Sequence, residues 1–435
     1  MPSPRKAGAT AVMPPLPEAF VARMAARLGT EVHALVDALA QPPPTSIRHN
    51  PRKPGGPVGE PVPWCASGHH LTQRPRFTLD PLLHAGAYYV QEAGSMLLER
   101  ALAAAGLIGT DAVALDLCAA PGGKSTHLLS LLGPRSVVLC NEVDARRHTA
   151  LLENVYKWGA PNACVTRLPA GDFAAVPHFD LVVLDAPCSG EGLMRREPVA
   201  RTQWSPWLVQ RCSTLQAALL EHVWQALRPG GTLVYCTCTW AEEEDEGLLH
   251  RFLEGHAATV LPIDPLHPGP VRGAIGITCM PHRCKAEGFF IAALRKPGTA
   301  APWDAGGTIV LEQGRLRPPG WNALPVALRE RIDRADGALP VLLDTPGGPA
   351  PHPAAAYCRE ALDLLQAAVP ITTVDLDHAT ALAFLRGEAI AAREARGHAL
   401  MRFDGLGLGW ARGAGNRWNN RHPTPWRIRT RRTDV

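Results

Sequence analysis

The sequence predicts an α/β protein whose central domain is a doubly wound, mostly parallel sheet of the Rossmann type. Apolar strand-like runs alternate with helical stretches from residue 112 onward, the pattern of successive βαβ units. A glycine-containing loop at residues 118–124 opens a helix directly after the first run. Two later runs end at or just before a cysteine, Cys188 and Cys238. Because ligands of open α/β sheets bind at the carboxyl ends of the strands, these features predict one site at one sheet edge.

Periodicity and flanking glycine or proline residues give the individual elements in order. Residues 14–40 are predicted to be helical, and the prolines of 42–44 end that helix. Ser95 is the predicted N-cap of the next helix. In the central domain the predicted strands are 112–117, 136–141, 162–166, 179–184 and 231–236, and the predicted helices are 124–132, 145–158 and 213–227. The apolar runs 273–277 and 288–294 are expected to complete the sheet.

A chain of 435 residues is too long for one ordinary hydrophobic core, so several domains are expected. Shifts in composition and the proline- and glycine-rich stretches set the expected boundaries. The predicted regions are a small N-terminal α+β accessory domain that binds RNA (1–75), the central domain (76–296), a linker (297–307), a small α+β domain (308–370) and a C-terminal domain (371–435).

Composition excludes several classes of protein. Hydrophobic residues make up 46% of the chain and charged residues 19%, with a net charge of +4, which is typical of a globular protein and not of a disordered one. The eleven cysteines lack paired CxxC spacing, which favours a reducing cytoplasm over a disulfide framework or a structural zinc site. No apolar stretch is long enough to span a bilayer. We therefore expect a cytoplasmic protein without a membrane partner and without a bound metal.

The C-terminal end carries a local excess of positive charge. Residues 409–435 contain a single acid, Asp434, and seven arginines: Arg412, Arg417, Arg421, Arg427, Arg429, Arg431 and Arg432. Such a surface is suited to nucleic-acid phosphates, although a solubilising tail is the alternative. Trp410, Trp418 and Trp426 can either stack on unpaired bases or form the core of a small barrel. The basic loop 48–53 is a weaker candidate for an RNA contact.

Loop 118–124 is predicted to hold the cofactor. It consists of Cys118, Ala119, Ala120, Pro121, Gly122, Gly123 and Lys124. Its Gly-Lys pair is followed by Ser125, as in a P-loop, but Cys118 stands where a P-loop requires glycine. The loop also lacks GxGxxG, so it matches neither the triphosphate-binding nor the dinucleotide-binding motif. Glu142 follows the second strand, where ribose hydroxyls are bound in such folds, and Asp172 follows the third, where it could meet an adenine amino group. This order favours S-adenosylmethionine over NAD, although each acid alone is more often a solvated surface group.

The cysteines after the fourth and fifth strands indicate covalent chemistry. Carbon 5 of a pyrimidine becomes nucleophilic only after a thiolate adds to carbon 6, and a base must then remove the carbon 5 proton before the thiolate can leave. Cys188, Cys238 and Asp185 supply the parts that this reaction needs. The motif that starts at Asp185 lacks the aromatic residue expected of amino-group methylation. The alternative is that both cysteines are small packing residues.

These residues resemble the Sun (NSUN) family of RNA cytosine-5 methyltransferases. The resemblance is carried by Asp116–Lys124, Asn141-Glu142 with Arg147, Asp185–Gly190, Thr237-Cys238-Thr239, and Pro281-His282 with Glu287–Phe290. It implies that Cys238 is the nucleophile, that Cys188 assists product release, that Asp185 holds the base edge and that Lys124 lies near both Asp185 and the cofactor. Two positions depart from the family pattern. Cys236 replaces a serine and is a conceivable alternate thiol, and Asp245 replaces an asparagine.

The flanks resemble the RsmF-type branch of that family, which modifies 16S ribosomal RNA. Residues 16–20, 48–50 and 63–65 look like its N-terminal domain, and residues 405–423 look like its PUA-like RNA-binding module. The resemblance implies a methyltransferase that uses S-adenosylmethionine, with the 16S rRNA of the 30S subunit as its partner. A tRNA substrate and a non-catalytic rRNA-binding assembly factor remain as alternatives.

Overall fold

The computed structural model describes residues 13–429 except for 176, 177, 302, 304, 305 and 347. Of the predicted basic tail, Arg431 and Arg432 lie outside the described residues. Across the part of the chain that is described, no helix is both long enough and apolar enough to cross a membrane.

The N-terminal region contains a four-stranded antiparallel sheet with the order β2-β3-β1-β4, whereas its first two helices pack against central-domain residues, among them Trp204 and Trp240. Its elements are α1 (Glu18–Leu28), α2 (Val32–Ala40), β1 (Thr45–His49), β2 (Glu60–Pro61), β3 (Gly68–Leu71), α3 (Pro81–His84) and β4 (Tyr88–Val90). The single helix predicted over 14–40 is divided at Gly29, whose φ of +58° ends α1. Strand β4 lies beyond residue 75, so this sheet extends past the predicted boundary.

The central domain contains the predicted doubly wound Rossmann-like sheet, which is confirmed. The strand order is β11-β12-β13-β9-β8-β5-β6-β7-β16, with β10 paired to β13. The last strand, β16 (Gly337–Ala338), comes from the region that follows the central domain. Strands β5 to β9 are parallel, and β13 is antiparallel to β9. The strands are β5 (Val113–Asp116), β6 (Val137–Asn141), β7 (Ala163–Thr166), β8 (Phe179–Asp185), β9 (Leu227–Thr237), β10 (Thr259–Val260), β11 (Val271–Arg272), β12 (Gly276–Cys279) and β13 (Phe289–Arg295). The helices are α4 (Leu98–Ala105), α5 (Gly123–Leu131), α6 (Ala145–Trp158), α7 (Ala170–Ala174), α8 (Pro198–Gln203), α9 (Pro206–Ala226) and α10 (Glu246–Gly255).

Local capping explains where several of these helices begin. The Asp144 side chain accepts hydrogen bonds from the first backbone N–H groups of α6. Ser205 caps α9, and Pro206 occupies its first position, so α9 begins seven residues before the predicted 213. The predicted Ser95 cap is wrong. The Glu92 carboxylate instead accepts from the N–H groups of Gly94 and Ser95, at 2.8 and 2.9 Å.

The region after the central domain is folded against that domain. It contains β14 (Val310–Glu312), β15 (Arg315–Arg317), α11 (Val326–Arg334), β16 (Gly337–Ala338), β17 (Leu342–Leu343), β18 (Ala350–Pro351) and α12 (Arg359–Ala368). Strands β14 and β15 form one hairpin, and β17 and β18 form another pair. Strand β16 pairs antiparallel with β7 and so extends the central sheet at one edge.

The C-terminal domain is a five-stranded sheet of order β19-β21-β22-β23-β20 with one helix. Its elements are β19 (Ile371–Asp375), α13 (His378–Leu385), β20 (Ile390–Ala395), β21 (His398–Phe403), β22 (Leu406–Gly413) and β23 (Gly415–Asn420). Trp410 and Trp418 are only 3% and 6% exposed. They are core residues, so the base-stacking interpretation is wrong for these two. Trp426 is partly buried beside Tyr357, with ring centroids 6.2 Å apart.

Candidate active site

The glycine loop (residues 118–124) leads from β5 into α5 at the carboxyl edge of the sheet. Two backbone hydrogen bonds close its turn. Ala119 N donates to the carbonyl of Asn141 at 2.8 Å, and Gly122 N donates to the carbonyl of Ala119 at 2.7 Å. Gly122 has a φ of +111°, which side chains with a Cβ rarely adopt, so glycine is required where the chain enters α5. The loop backbone and the N-terminus of α5 therefore lie together at this edge.

Glu142 is joined to the glycine loop through an arginine. Arg147 Nη2 donates to the carbonyl of Ala120 at 2.7 Å, and its Nη1 lies 2.9 Å from Glu142 Oε2. The carboxylate is buried at the end of β6, directly beside the loop. The Asn154 side chain of α6 also binds the loop, because its Nδ2 donates to the carbonyl of Pro121 at 2.9 Å. The predicted loop residues and Glu142 thus form one continuous wall.

Asp116, the last residue of β5, is fully buried below the loop. Its Oδ2 accepts from the Ser125 hydroxyl at 2.7 Å, whereas its Oδ1 has no hydrogen-bond donor among the described residues. Burial raises the pKa of Asp116 to about 7. A buried acceptor without a donor at a strand end indicates a place for a donating ligand group.

Asp172 is on the short helix α7 after the third strand, as its sequence position requires. Its carboxylate lies 3.4 Å from Arg331 Nη1, and the same nitrogen donates to its backbone carbonyl at 2.6 Å. The side chain is 39% exposed. The partner Arg331 comes from α11, far along the chain, and no sequence signal indicated it. The predicted adenine contact of Asp172 stays a prediction.

Arg48 supports the glycine loop from the N-terminal domain, which sequence reasoning missed. It is completely buried, and its Nη2 donates to Thr126 Oγ1 at 2.6 Å and to the carbonyl of Gly123 at 3.3 Å. Its Nε donates to the Gln91 side chain at 2.7 Å. Burial lowers the pKa of Arg48 to about 10. Arg48 therefore positions the start of α5 and is not available to RNA.

The rest of the basic loop is also engaged within the protein. Lys53 Nζ donates to the carbonyls of Ala85 at 2.9 Å and Lys157 at 2.6 Å, and burial lowers its pKa to about 7. Arg52 forms an ion pair with Glu360. The interpretation of this loop as an RNA contact is therefore not favoured.

Lys124 and Asp185 form a close ion pair between the glycine loop and the end of β8. Lys124 Nζ lies 2.8 Å from Asp185 Oδ2 and 5.0 Å from the centre of the Phe289 ring. Burial alone lowers the pKa of Lys124. The negative charge of the Asp185 carboxylate and its neighbours raises the pKa by more, so the net pKa lies above the ordinary value. The amine thus stays protonated next to the carboxylate.

The two predicted catalytic sulfurs are in contact. Cys188 Sγ lies 3.2 Å from Cys238 Sγ, and Cys238 N lies 3.4 Å from Cys188 Sγ. Both residues are half-buried, one after β8 and the other directly after β9. The hydrogen bond with Cys238 and burial together raise the pKa of Cys188 well above its ordinary value. Cys188 is therefore a neutral thiol facing a second sulfur.

A carboxyl group below the sulfur pair holds the Cys188 loop. Glu244 Oε2 accepts from Ser189 N at 3.0 Å and from Gln216 Nε2 at 2.8 Å. Gln216 Nε2 also donates to the carbonyl of Pro187 at 2.9 Å. Burial raises the pKa of Glu244 to about 7. Sequence reasoning found Glu244 only as part of a motif, because Gln216 comes from the middle of α9.

Asp245 is buried and accepts a hydrogen bond from Thr237 Oγ1 at 2.6 Å, next to the end of β9. Burial raises its pKa well above the ordinary value. A neutral carboxyl group has nearly the shape and hydrogen-bonding capacity of an asparagine side chain. The substitution of aspartate for the asparagine that the resemblance implies is therefore compatible with the same packing.

Cys236 occupies a different position from Cys238, although both belong to the same segment. It is completely buried within β9, with its Sγ 3.8 Å from Asp185 Oδ1. Burial raises the pKa of Cys236 well above its ordinary value. Cys238 lies past the end of the strand, which finishes at Thr237, and is half-exposed. The geometry therefore favours Cys238 as the accessible thiol.

Three family models match successive parts of the chain. The N-terminal domain of 16S rRNA methyltransferase RsmF matches residues 16–93, 16S rRNA methyltransferase RsmB/F matches 108–295, and the methyltransferase RsmF PUA domain matches 371–428. The chain is thus similar to the RsmB/F methyltransferases over three successive segments. The resemblance to the RsmF-type branch is thereby confirmed, as is the predicted combination of a Rossmann-like domain with an N-terminal domain and a PUA-like domain.

Curated relatives carry the name ribosomal RNA small subunit methyltransferase F. The protein from Cronobacter sakazakii is 36% identical over 315 residues, which cover 67% of this chain and 65% of the relative. The protein from Escherichia coli strain K12 is 38% identical over 258 residues, covering 56% of this chain and 53% of the relative. The chain thus aligns with between one half and two thirds of the length of these RsmB/F family members.

Solved structures of the same architecture come from Pyrococcus horikoshii. A methyltransferase homolog protein is 28% identical, with a TM-score of 0.53, and covers 62% of this chain and 92% of its own. NSun6, solved with SFG, is 18% identical, with a TM-score of 0.54, and covers 65% and 99%. Because NSun6 is only 18% identical, its similarity to this chain shows the fold alone.

Proposed function

We propose that this protein is an S-adenosylmethionine-dependent RNA cytosine-5 methyltransferase that acts on the 16S rRNA of the 30S subunit. The observation that carries the proposal is the 3.2 Å contact between Cys188 and Cys238 at the sheet edge that also holds the glycine loop. A packing role does not require two half-buried thiols beside a partly exposed Lys124–Asp185 ion pair. Covalent activation of a pyrimidine needs a thiol nucleophile and a nearby acid, and this sheet edge supplies both.

The residues at the edge fit the proposed cofactor. Glu142 would accept hydrogen bonds from the ribose hydroxyls, and Asp116 Oδ1, which has no donor in the described structure, would accept from the ammonium group. Asp172 would meet the adenine amino group, and residues 118–124 would surround the remainder. When bound, S-adenosylmethionine supplies an electrophilic methyl group.

Each side chain of the pair has a separate role in the proposed reaction. Cys238 Sγ adds to carbon 6 of the cytosine, which must first leave its stack to reach the site. Asp185, held by Lys124, binds the base edge and stabilises the intermediate. After methylation, a water molecule acting as base takes up the carbon 5 proton, and the bond from carbon 6 to Cys238 breaks with its electron pair left on sulfur. The neutral Cys188 thiol can then return a proton to the departing sulfur.

The RNA substrate is supported by the match to a PUA domain and by the names of the relatives. Described arginines of the C-terminal domain, including Arg417 and Arg421, remain available for phosphate contacts. A cytoplasmic location, where ribosomal subunits are assembled, belongs to the same proposal.

The test is transfer of a tritiated methyl group to unmodified 30S subunits, with mapping of 5-methylcytosine. We expect label at a discrete cytosine of 16S rRNA with the wild-type protein and none with Cys238→Ala. Isolated tRNA is the comparison acceptor. Label on tRNA alone would reject the 16S rRNA assignment, and label on neither RNA would favour a non-catalytic assembly factor.

A further inference from the structure

Three metal-ligand side chains from distant segments meet at α5. Cys65 is in the turn between β2 and β3, Glu99 is in α4 and His127 is in α5. His127 Nε2 lies 3.7 Å from Cys65 Sγ and 3.4 Å from Glu99 Oε2, and the three ligand atoms are all within 4.8 Å of one another. Sequence spacing did not indicate this group, because its members are separated along the chain.

The separations agree with tetrahedral coordination. Zinc–sulfur bonds of about 2.3 Å and zinc–nitrogen or zinc–oxygen bonds of about 2.0–2.1 Å imply ligand separations of about 3.6 Å for S···N and about 3.3 Å for N···O. The structure has 3.7 Å and 3.4 Å for these two edges. The alternative is a hydrogen-bonded group in which the Glu99 carboxylate accepts from both Cys65 and His127. The single Nε2 faces both the sulfur and the carboxylate, and it can present only one proton or one lone pair.

The donor set selects the kind of cation. A thiolate and a carboxylate carry two negative charges together, which a divalent ion neutralises, and the neutral imidazole adds no charge. Sulfur with imidazole nitrogen favours zinc over magnesium or calcium, which prefer oxygen ligands. Ser67 Oγ lies 3.8 Å from Cys65 Sγ, next to the group. Arg48 is a nearby positive charge, which disfavours a cation at this place, but its guanidinium donates to Thr126 Oγ1.

Two of the three ligands are buried, and Glu99 is partly exposed. Cys65 and His127 are 3% and 0% exposed, and Glu99 is also tied to Ala66 N at 3.2 Å. The turn that carries Cys65 is anchored by Trp64 Nε1, which donates to the carbonyl of Ala93 at 2.7 Å. A Cβ at Gly68 would lie 2.7 Å from Met96 Sδ, so the turn is closely packed against the central domain.

We propose that Cys65, Glu99 and His127 bind one divalent zinc-type ion that joins the N-terminal domain to the helix carrying the glycine loop. The ion would have a structural role, because the group of three ligands does not include Cys188 or Cys238. Such an ion stabilises the folded protein over the unfolded chain and fixes α5 to the turn after β2.

The test measures metal in the full-length protein after loading with zinc and dialysis against a weak chelator. We expect about one zinc ion per chain in the wild type, and zinc binding at least about tenfold weaker in Cys65→Ser and His127→Gln. Zinc is also expected to raise the thermal unfolding midpoint of the wild type and not that of Cys65→Ser. Cys164→Ser is the matched control, because Cys164 is a buried cysteine in β7.

Zinc bound by the catalytic thiols must be distinguished from this site. The Cys188→Ala/Cys238→Ala double variant should retain the ion, and its loss there would overturn the proposal, as would retention of zinc by Cys65→Ser. If the Cys65 and His127 variants do not fold, wild-type protein loaded with cobalt decides the question. A thiolate-to-cobalt charge-transfer band that persists in the double variant supports the site, and a spectrum without that band rejects it.

Discussion

The carboxyl edge of the central sheet and the C-terminal five-stranded sheet place their distinctive side chains in opposite ways. At the edge, Cys188 and Cys238 lie just beyond strand ends and remain half-exposed. In the C-terminal domain, Trp410 and Trp418 lie within strands and are buried. Position relative to the strand end, more than residue type, thus decides whether a side chain is available for chemistry.

The same rule separates the two thiols of one segment. Cys236 is inside β9 and has no exposed surface, whereas Cys238, two residues later, is past the end of the strand. Among the variants that test this contrast, Cys238→Ala is expected to have the largest effect.

Cys238→Ala should reduce methyl transfer by on the order of a thousandfold or more, because the carbon 6 bond cannot form. Cys236→Ala, the matched control, should retain transfer because its thiol is buried. Initial rates of tritium incorporation at saturating RNA measure both. Equal losses in the two variants would contradict the distinction between the strand interior and the strand end.

Cys188→Ala should lose multiple turnovers while keeping a single round of methylation, since only release of the adduct needs its proton. Quench experiments with enzyme in excess measure the first round, and steady-state assays measure turnover. Loss of the single round would instead give Cys188 a role in bond formation.

Lys124→Met should slow methyl transfer by about a hundredfold, because Asp185 loses the cation that holds it at 2.8 Å. Lys157→Met is the control, as that lysine pairs with Glu153 on α6. Comparison of kcat and KM should place most of the loss in kcat. A loss confined to KM for the cofactor would mean that Lys124 serves binding alone.

Trp410→Ala should lower the free energy of unfolding by about 3–5 kcal/mol, as expected for a large buried side chain. Trp426→Ala should lower it by less, because Trp426 is only partly buried. Chemical denaturation of both variants tests this. If Trp410→Ala unfolds normally but loses RNA affinity, Trp410 contacts RNA after all.

Glu244→Gln should have the smallest effect of these variants, and it should alter how the free energy of unfolding depends on pH. Burial raises the pKa of Glu244 from 4.5 to about 7, so the folded state holds this proton more tightly than the unfolded state. The wild type should therefore lose stability relative to Glu244→Gln as pH rises from about 4.5 to about 7, by about 3 kcal/mol at most. Denaturation midpoints of both proteins across this range give the difference. A difference independent of pH would show that Glu244 is already ionised when folded.

The sequence indicates the elements of the central sheet well because its strands are short apolar runs between glycines, prolines and charges. Strands β5 to β8 begin and end within one residue of their predicted bounds. Contacts between distant segments were not accessible in this way. The burial of Arg48 against Thr126, the support of the Cys188 loop by Gln216 and the meeting of Cys65 with His127 all depend on three-dimensional packing.

Local competition accounts for other differences. Ser95 is a good capping residue, but it lies inside the 3₁₀ turn before α4, and its hydroxyl donates to the carbonyl of Glu92 at 2.7 Å instead of accepting from the helix N–H groups. The tryptophans of the C-terminal domain could stack on bases or form a core, and composition does not distinguish these alternatives. Only their positions inside β22 and β23 decide between them.

The most direct measurement is the location of the covalent bond in Cys188→Ala incubated with target RNA and S-adenosylmethionine. The adduct is isolated under denaturing conditions, digested with protease and nuclease, and analysed by mass spectrometry. We predict a nucleotide bound to the peptide that contains Cys238, at Cys238 itself, and no adduct in the Cys188→Ala/Cys238→Ala double variant. A nucleotide on Cys236, or an adduct that survives in the double variant, would contradict the assignment of Cys238 as the nucleophile.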